Sequence, residues 1–131
     1  MRLVELPLIV VALAIATWHV EKVANRPSQV QELFVLSQNM RDERSGLQRQ
    51  TLDPVLCKKA QKWAEHMAAT GSMTHGGGEQ IIARGYGTPV AVLNAWCNSP
   101  GHAKWIFSKN SRVGFGFARS KSGHPYWAGC Y

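Results

Sequence analysis

DPVLCKKAQKWAEHMAATGSMTHGGGEQ, residues 53–80, opens with the signals of a helix and closes on a run of glycines and a lone acid. Asp53 can accept from the free N–H groups of a first turn, and Pro54 sits where a missing N–H does no harm. Leu56, Ala60, Trp63, Ala64 and Met67 follow at i, i+4, i+7, i+8 and i+11, a single apolar stripe, and Thr70-Gly71 closes it. Both Trp63 and the later Trp96 are expected in the core, since each falls on the apolar stripe of its helix. Glu79 is the one carboxylate from His66 to Tyr131, among six Lys or Arg residues, and it follows His75 by four positions across three glycines.

Upstream of this helix, Ser28 begins an amphipathic stretch with Val30, Leu33, Phe34 and Met40 at helical spacing, and Gly46 is its stop. Downstream, Thr88 caps and Pro89 begins a third helix whose buried face is Val92, Leu93 and Trp96, ended by Ser99-Pro100-Gly101. The tail reads as a hairpin. Val113, Phe115 and Phe117 alternate with Gly114, Gly116 and Ala118, residues 120–123 (SKSG) turn the chain, and Tyr126, Trp127 and Tyr131 lie on the return. A bare face on one strand predicts that a helix packs closely there. Helices before and between strands, with an antiparallel hairpin at the end, predict a layered α+β domain.

The first twenty residues differ in kind. Residues 6–16 (LPLIVVALAIA) are apolar but shorter than the ~20 residues of a comfortable span. Ala14-Ile15-Ala16 has the small-x-small pattern of a signal-peptidase site, so residues 1–16 are expected to be a signal peptide cleaved before Thr17, with an uncleaved signal anchor as the alternative. Residues 17–27 then form a polar linker and 28–131 the domain. Either reading exports the domain, so the protein is expected to be secreted or held in the cell envelope; with the leader cleaved, no transmembrane span is expected in the mature form. In an oxidising compartment Cys57, Cys97 and Cys130 allow three alternative single disulfides, among which sequence does not choose. The formal charge of +7 favours anionic partners such as cell-surface or wall polymers or lipid headgroups. Nucleic acid is not expected, because no recognition helix or stacking motif accompanies the charge.

Glycines at 76–78 let the backbone bend tightly, so His75 and Glu79 need not share a helix face. His102 follows the turn after the third helix. Imidazoles and a carboxylate suit zinc or another divalent ion, with a position left for water, although no H-E-x-x-H spacing is present. The plainer alternative is a buried Glu79 that accepts from His75 and from backbone N–H groups to hold the glycine loop. Cys97 beside Trp96 lies within a helix rather than at its start, which favours a buried or disulfide-bonded thiol over a nucleophile.

Several blocks stand in a fixed order: Leu56-x3-Ala60-x2-Trp63-Ala64-x2-Met67, Thr74-His75, Gly78-Glu79-Gln80, Ala95-Trp96-x2-Ser99-Pro100-Gly101-His102, Val113-Gly114-Phe115-Gly116 and Tyr126-Trp127. Together, over about residues 30–131, the chain resembles the CAP superfamily, the SCP-like extracellular proteins related to cysteine-rich secretory and pathogenesis-related proteins, in its bacterial branch. The resemblance implies an α-β-α sandwich around a central antiparallel sheet, with a cleft lined by two His and two acids. His75, Glu79 and His102 match three of these places. Ser99 stands where many relatives carry the second acid, Gln80 stands for the family's Asn, and residues 103–106 read AKWI rather than basic-x-Asn-Ile. Relatives bind divalent metal at the two His, and some eukaryotic members bind sterols or fatty acids. The resemblance therefore implies metal on His75 and His102 in a cleft completed by Glu79, Gln80 and Ser99. With one carboxylate rather than two, acid–base catalysis by a carboxylate pair is disfavoured. A non-enzymatic, exported ligand- or metal-binding domain is the leading expectation. Its alternative is a metal-assisted hydrolase of wall or peptide substrates, with Glu79 as base.

Overall fold

A computed structural model describes residues 28–131. The leader, its cleavage site and the linker lie outside the described residues. Four helices and four strands follow one another as α1 (Gln29–Ser45), β1 (Thr51–Leu52), α2 (Pro54–Thr70), β2 (Ile81–Arg84), α3 (Pro89–Cys97), α4 (Pro100–Ile106), β3 (Arg112–Arg119) and β4 (Pro125–Cys130). Side chains cap the first three helices, with Asp53 and Thr88 in the roles expected of them. Ser28 and Gln31 form a reciprocal capping box at α1, and Gly46 ends that helix in the left-handed region at φ 59°. Asp53 accepts from the N–H groups of Val55 and Leu56 at α2, and Thr88 accepts from that of Ala91 at α3.

The sheet order is β1-β3-β4-β2. β4 is antiparallel to both β3 and β2, with Phe115 opposite Gly129 and Ile82 opposite Ala128. β3, β4 and β2 thus form the expected central antiparallel sheet; at its edge β1 runs parallel to β3, Thr51 opposite Arg112 and Leu52 opposite Val113, so the sheet as a whole is mixed. Two residues are too few to show any alternation in the sequence.

Helix α2 covers one face of the sheet and α1, α3 and α4 the other, an α-β-α sandwich with two apolar layers. Ala60, Ala64 and Met67 of α2 meet Ile82, Tyr126, Ala128 and Cys130 on one side. Leu33, Val92, Trp96 and Ile106 meet Ile81, Val113, Phe115 and Trp127 on the other. The bare face of β3 has the predicted purpose. A Cβ on Gly114 would collide with the backbone of Leu56 and Cys57, and one on Gly116 with the backbone of Ala60. Only glycine lets α2 lie that close. Beyond the end of β1 the outer edge of β3 is closed by a side chain: the Gln61 amide donates to the Phe117 carbonyl (2.8 Å) and accepts from the Phe117 N–H (2.9 Å).

Three features depart from the sequence reading. Ser99-Pro100-Gly101 ends α3 but also starts α4, because proline suits a first helical turn as well as a stop. The buried face of α1 includes Ser37, Gln38 and Arg41 as well as Leu33. Gln38 and Gln50 exchange hydrogen bonds, while the Arg41 guanidinium donates to the carbonyls of Ile106, Ser108 and Gln48 and so ties α4 and its following loop to α1. Trp96 is a core residue, 1% exposed, with its indole N–H on the Ile82 carbonyl (3.1 Å). Trp63 is not; it is half-buried at the rim of its layer, under the glycine loop. Ala64, Met67 and Ala68 beyond it stay buried, while the indole is turned to the loop, its N–H on the Thr74 carbonyl.

Candidate functional site

The segment between α2 and β2 carries His75, the glycines and Glu79. Its shape is set from inside by Glu79, whose side chain has no solvent exposure. One carboxylate oxygen, Oε1, accepts from His75 Nδ1 (2.9 Å) and from the Gly76 N–H (3.2 Å); the other, Oε2, accepts from the Gly77 N–H (2.8 Å). Three donors converge on one buried carboxylate, and in this way Glu79 holds the loop. Gly78 adopts φ 79°, a conformation that favours glycine, and the Lys59 stem lies across it. Gln80 fixes the other end: its N–H donates to the Gly129 carbonyl and its side-chain oxygen accepts from the Tyr131 N–H (2.7 Å). The longer side chain in place of Asn thus reaches the end of β4.

His102 approaches from the opposite layer, in the first turn of α4. Ser99 is the N-cap of that helix, yet its hydroxyl makes no capping bond; Ser99 Oγ pairs instead with His102 Nδ1 at 2.8 Å. The pKa of His102 lies below the ordinary histidine value, chiefly because the ring is partly buried and secondarily because of the charge that His75 can carry. The two imidazoles thus influence one another through their charges. Each has its Nδ1 engaged by a neighbour, which leaves each Nε2 available, the arrangement by which a partner behind the ring orients a ligating histidine. His75 is the open member, with its side chain 60% exposed.

Of the five site residues read from the sequence, His75 pairs with Glu79 and His102 with Ser99, while Gln80 ties the end of the loop to β4; the effect of the His75 charge on His102 links the two pairs. Sequence reasoning missed the support from Trp63, whose indole N–H donates to the Thr74 carbonyl (2.8 Å) and whose ring lies under Gly76 and Gly77. A tryptophan followed by a glycine run was the available signal. Among the described residues, no group of three or more His, Cys, Asp or Glu is placed to hold a metal ion. Cys57, Cys97 and Cys130 are all unpaired thiols, and burial raises the pKa of each, which is opposite to what a nucleophile needs.

The sequence profile described as "CAP: Cysteine-rich secretory protein family" matches residues 37–131. This chain belongs to the CAP family. Solved structures agree on the fold of the CAP domain. An outer surface protein from Borrelia burgdorferi is 19% identical with a TM-score of 0.64, covering 74% of this chain and 86% of its own. An extracellular protein containing a SCP domain from Bacillus anthracis is 18% identical with a TM-score of 0.60, covering 78% of this chain and 40% of its own. A third, MpPR-1i, is 20% identical with a TM-score of 0.51, covering 76% of this chain and 84% of its own. None of the curated proteins matches the chain. Among the described residues, no helix is long and apolar enough to cross a membrane.

Proposed function

We propose that this CAP domain acts outside the cytoplasm as a binding module, holding a divalent ion such as zinc, and through it a ligand, between His75 and His102. The observation that carries the reading is the matched preparation of the two rings, Nδ1 of His75 on Glu79 and Nδ1 of His102 on Ser99, with both Nε2 atoms left over. Two imidazoles fit a divalent ion in donor type, and with no third protein ligand beside them among the described residues the remaining positions fall to water or to an oxygen donor of the bound partner. Such an ion would supply a Lewis-acidic point at which a carboxylate, carbonyl or phosphate oxygen can be held.

Glu79 serves this reading as the positioning group behind His75. As a general base it would need a free oxygen facing the substrate, whereas both oxygens already accept from the loop. A binding role is thus favoured over a hydrolytic one. Export is supported by residues 6–16, by the small-x-small site at 14–16 and by the extracellular B. anthracis relative. The net charge of +7 favours an anionic wall polymer or lipid surface as neighbour.

Isothermal titration of purified protein with zinc, alongside His75→Ala and His102→Ala, tests the site. Binding should be lost in large part with either ring, because one imidazole alone is too few protein ligands. Zinc binding unchanged in both variants refutes the proposal. N-terminal sequencing of the mature protein, expected to begin at Thr17, tests the export; recovery of the chain from Met1 in the cytosol would refute it.

A further inference from the structure

The loop that carries His75 is gripped from two sides, by the Glu79 carboxylate within and by the Trp63 indole without. The indole acts as a floor. Its N–H holds the Thr74 carbonyl at 2.8 Å, one residue before His75. Its ring lies so near the backbone of residues 76 and 77 that a Cβ on Gly76 would stand 2.8 Å from Cη2, and one on Gly77 2.7 Å from Cδ2 and Cε3. The floor is itself braced: the His66 ring stacks on Trp63 with centroids 4.6 Å apart and planes 21° from parallel. Above the floor, the Gly77 N–H reaches Glu79 Oε2 at 2.8 Å. The same peptide segment is thus clamped between an aromatic face and a buried carboxylate.

We infer that Trp63 is a positioning residue for His75: by fixing how far the glycine segment stands from α2, it keeps His75 Nδ1 on Glu79 and so directs Nε2 to the binding site. The chain of contact is short. Thr74 and Gly76 flank His75 on either side, and both are held by the indole. If the segment lifts, the Gly77–Glu79 bond at 2.8 Å must lengthen, and the carboxylate is free to rotate away from His75. This also gives a reason for glycine at 77 that needs no unusual backbone angle, since the indole occupies the space a side chain would take. The inference rests on the reading of His75 as a ligand, but its first readout does not require a metal.

That readout is the tautomer of neutral His75, observed by long-range proton–nitrogen correlation in the purified, metal-free protein. The parent should show a single Nδ1–H tautomer at His75. Gly77→Ala, which pushes the segment off the ring without touching either His, should give a mixture of tautomers at His75 while His102 stays unchanged. Zinc affinity should fall by about tenfold or more, the usual cost of losing the group that orients a ligand. Trp63→Phe, which keeps an aromatic floor but loses the N–H to Thr74, should show a smaller change in the same direction. Trp63→Leu, which loses both the aromatic floor and the N–H to Thr74, should show a larger change than Trp63→Phe in the same direction. A folded Gly77→Ala with the parent's His75 tautomer and zinc affinity overturns the inference. A parent that binds no zinc, yet loses its tautomer in Gly77→Ala, upholds the positioning role and overturns only the metal reading. Should the tautomer and affinity hold in all three variants while His75→Ala abolishes binding, the metal reading stands and the positioning role of Trp63 falls.

Discussion

Replacing Glu79 by Gln keeps the shape of the side chain and removes one acceptor. The structure shows why that is not a mild change. The loop presents donors to both carboxylate oxygens, His75 Nδ1 and the Gly76 N–H to Oε1, and the Gly77 N–H to Oε2. An amide has one oxygen and one NH2 group, so in either orientation at least one backbone N–H faces a donor. The variant loses charge assistance in the bonds that remain and leaves one buried N–H without an acceptor, each worth about 1–3 kcal/mol. A net loss of about 2–4 kcal/mol follows, which for a domain of this size lowers the melting temperature by on the order of 10 °C or more. The assay is chemical denaturation of parent and variant without metal, with amide hydrogen exchange at Gly76 and Gly77 as the local probe. Both amides should exchange faster in the variant. A Glu79→Gln protein within about 0.5 kcal/mol of the parent, with both amides equally protected, would show that the carboxylate does not hold the loop.

Three further outcomes follow from packing and charge. Gly116→Ala should cost about 3 kcal/mol or more, the upper range for overpacking, because the new methyl meets the α2 backbone at Ala60 rather than a movable side chain; Gly101→Ala, with open space around it, is the control in thermal melts. Trp96→Ala should cost about 3–5 kcal/mol by denaturant titration, since a fully buried indole and its bond to Ile82 are lost together. Burial pushes the Cys130 thiol up to about 11 from an ordinary value of 9.0, so above the ordinary value the folded state holds a proton that the unfolded state has released. Stability should therefore fall as pH rises through that window, by about 3 kcal/mol from this group, and Cys130→Ala should show a shallower alkaline slope in denaturation series.

How far the sequence could be read depended on whether a signal was local. Asp53, Pro54 and Gly71 mark α2 through bonds made within one turn, so the helix was legible to its ends. The alternation of Phe115 and Phe117 with Gly114 and Gly116 encodes a contact between α2 and β3 that is distant in the chain, yet it was legible because only glycine fits there. β2 was not, since Ile81, Ile82 and Ala83 are all buried and a strand covered on both faces shows no period of two. The polar face of α1 escaped for the opposite reason: Gln38 and Arg41 are buried by partners at Gln50, Ile106 and Ser108 that no pattern within the helix announces. At the site, residue types located His75, Glu79 and His102, but not the division of labour. That Ser99 leaves its helix uncapped to hold His102, and that Trp63 lies under the loop instead of in the core, are facts of tertiary geometry.

The sheet order places β4, which follows every other described element in the chain, between β3 and β2. Until β4 has been synthesised, β2 has no neighbour, β3 lacks its antiparallel partner, and the Gln80 side chain has no Tyr131 N–H to receive. A growing chain can thus form α1 and α2 as separate helices, but neither apolar layer can close. The order of synthesis holds the domain open until this strand is released. With the export proposed above, that delay keeps the chain in a form a narrow channel can accept.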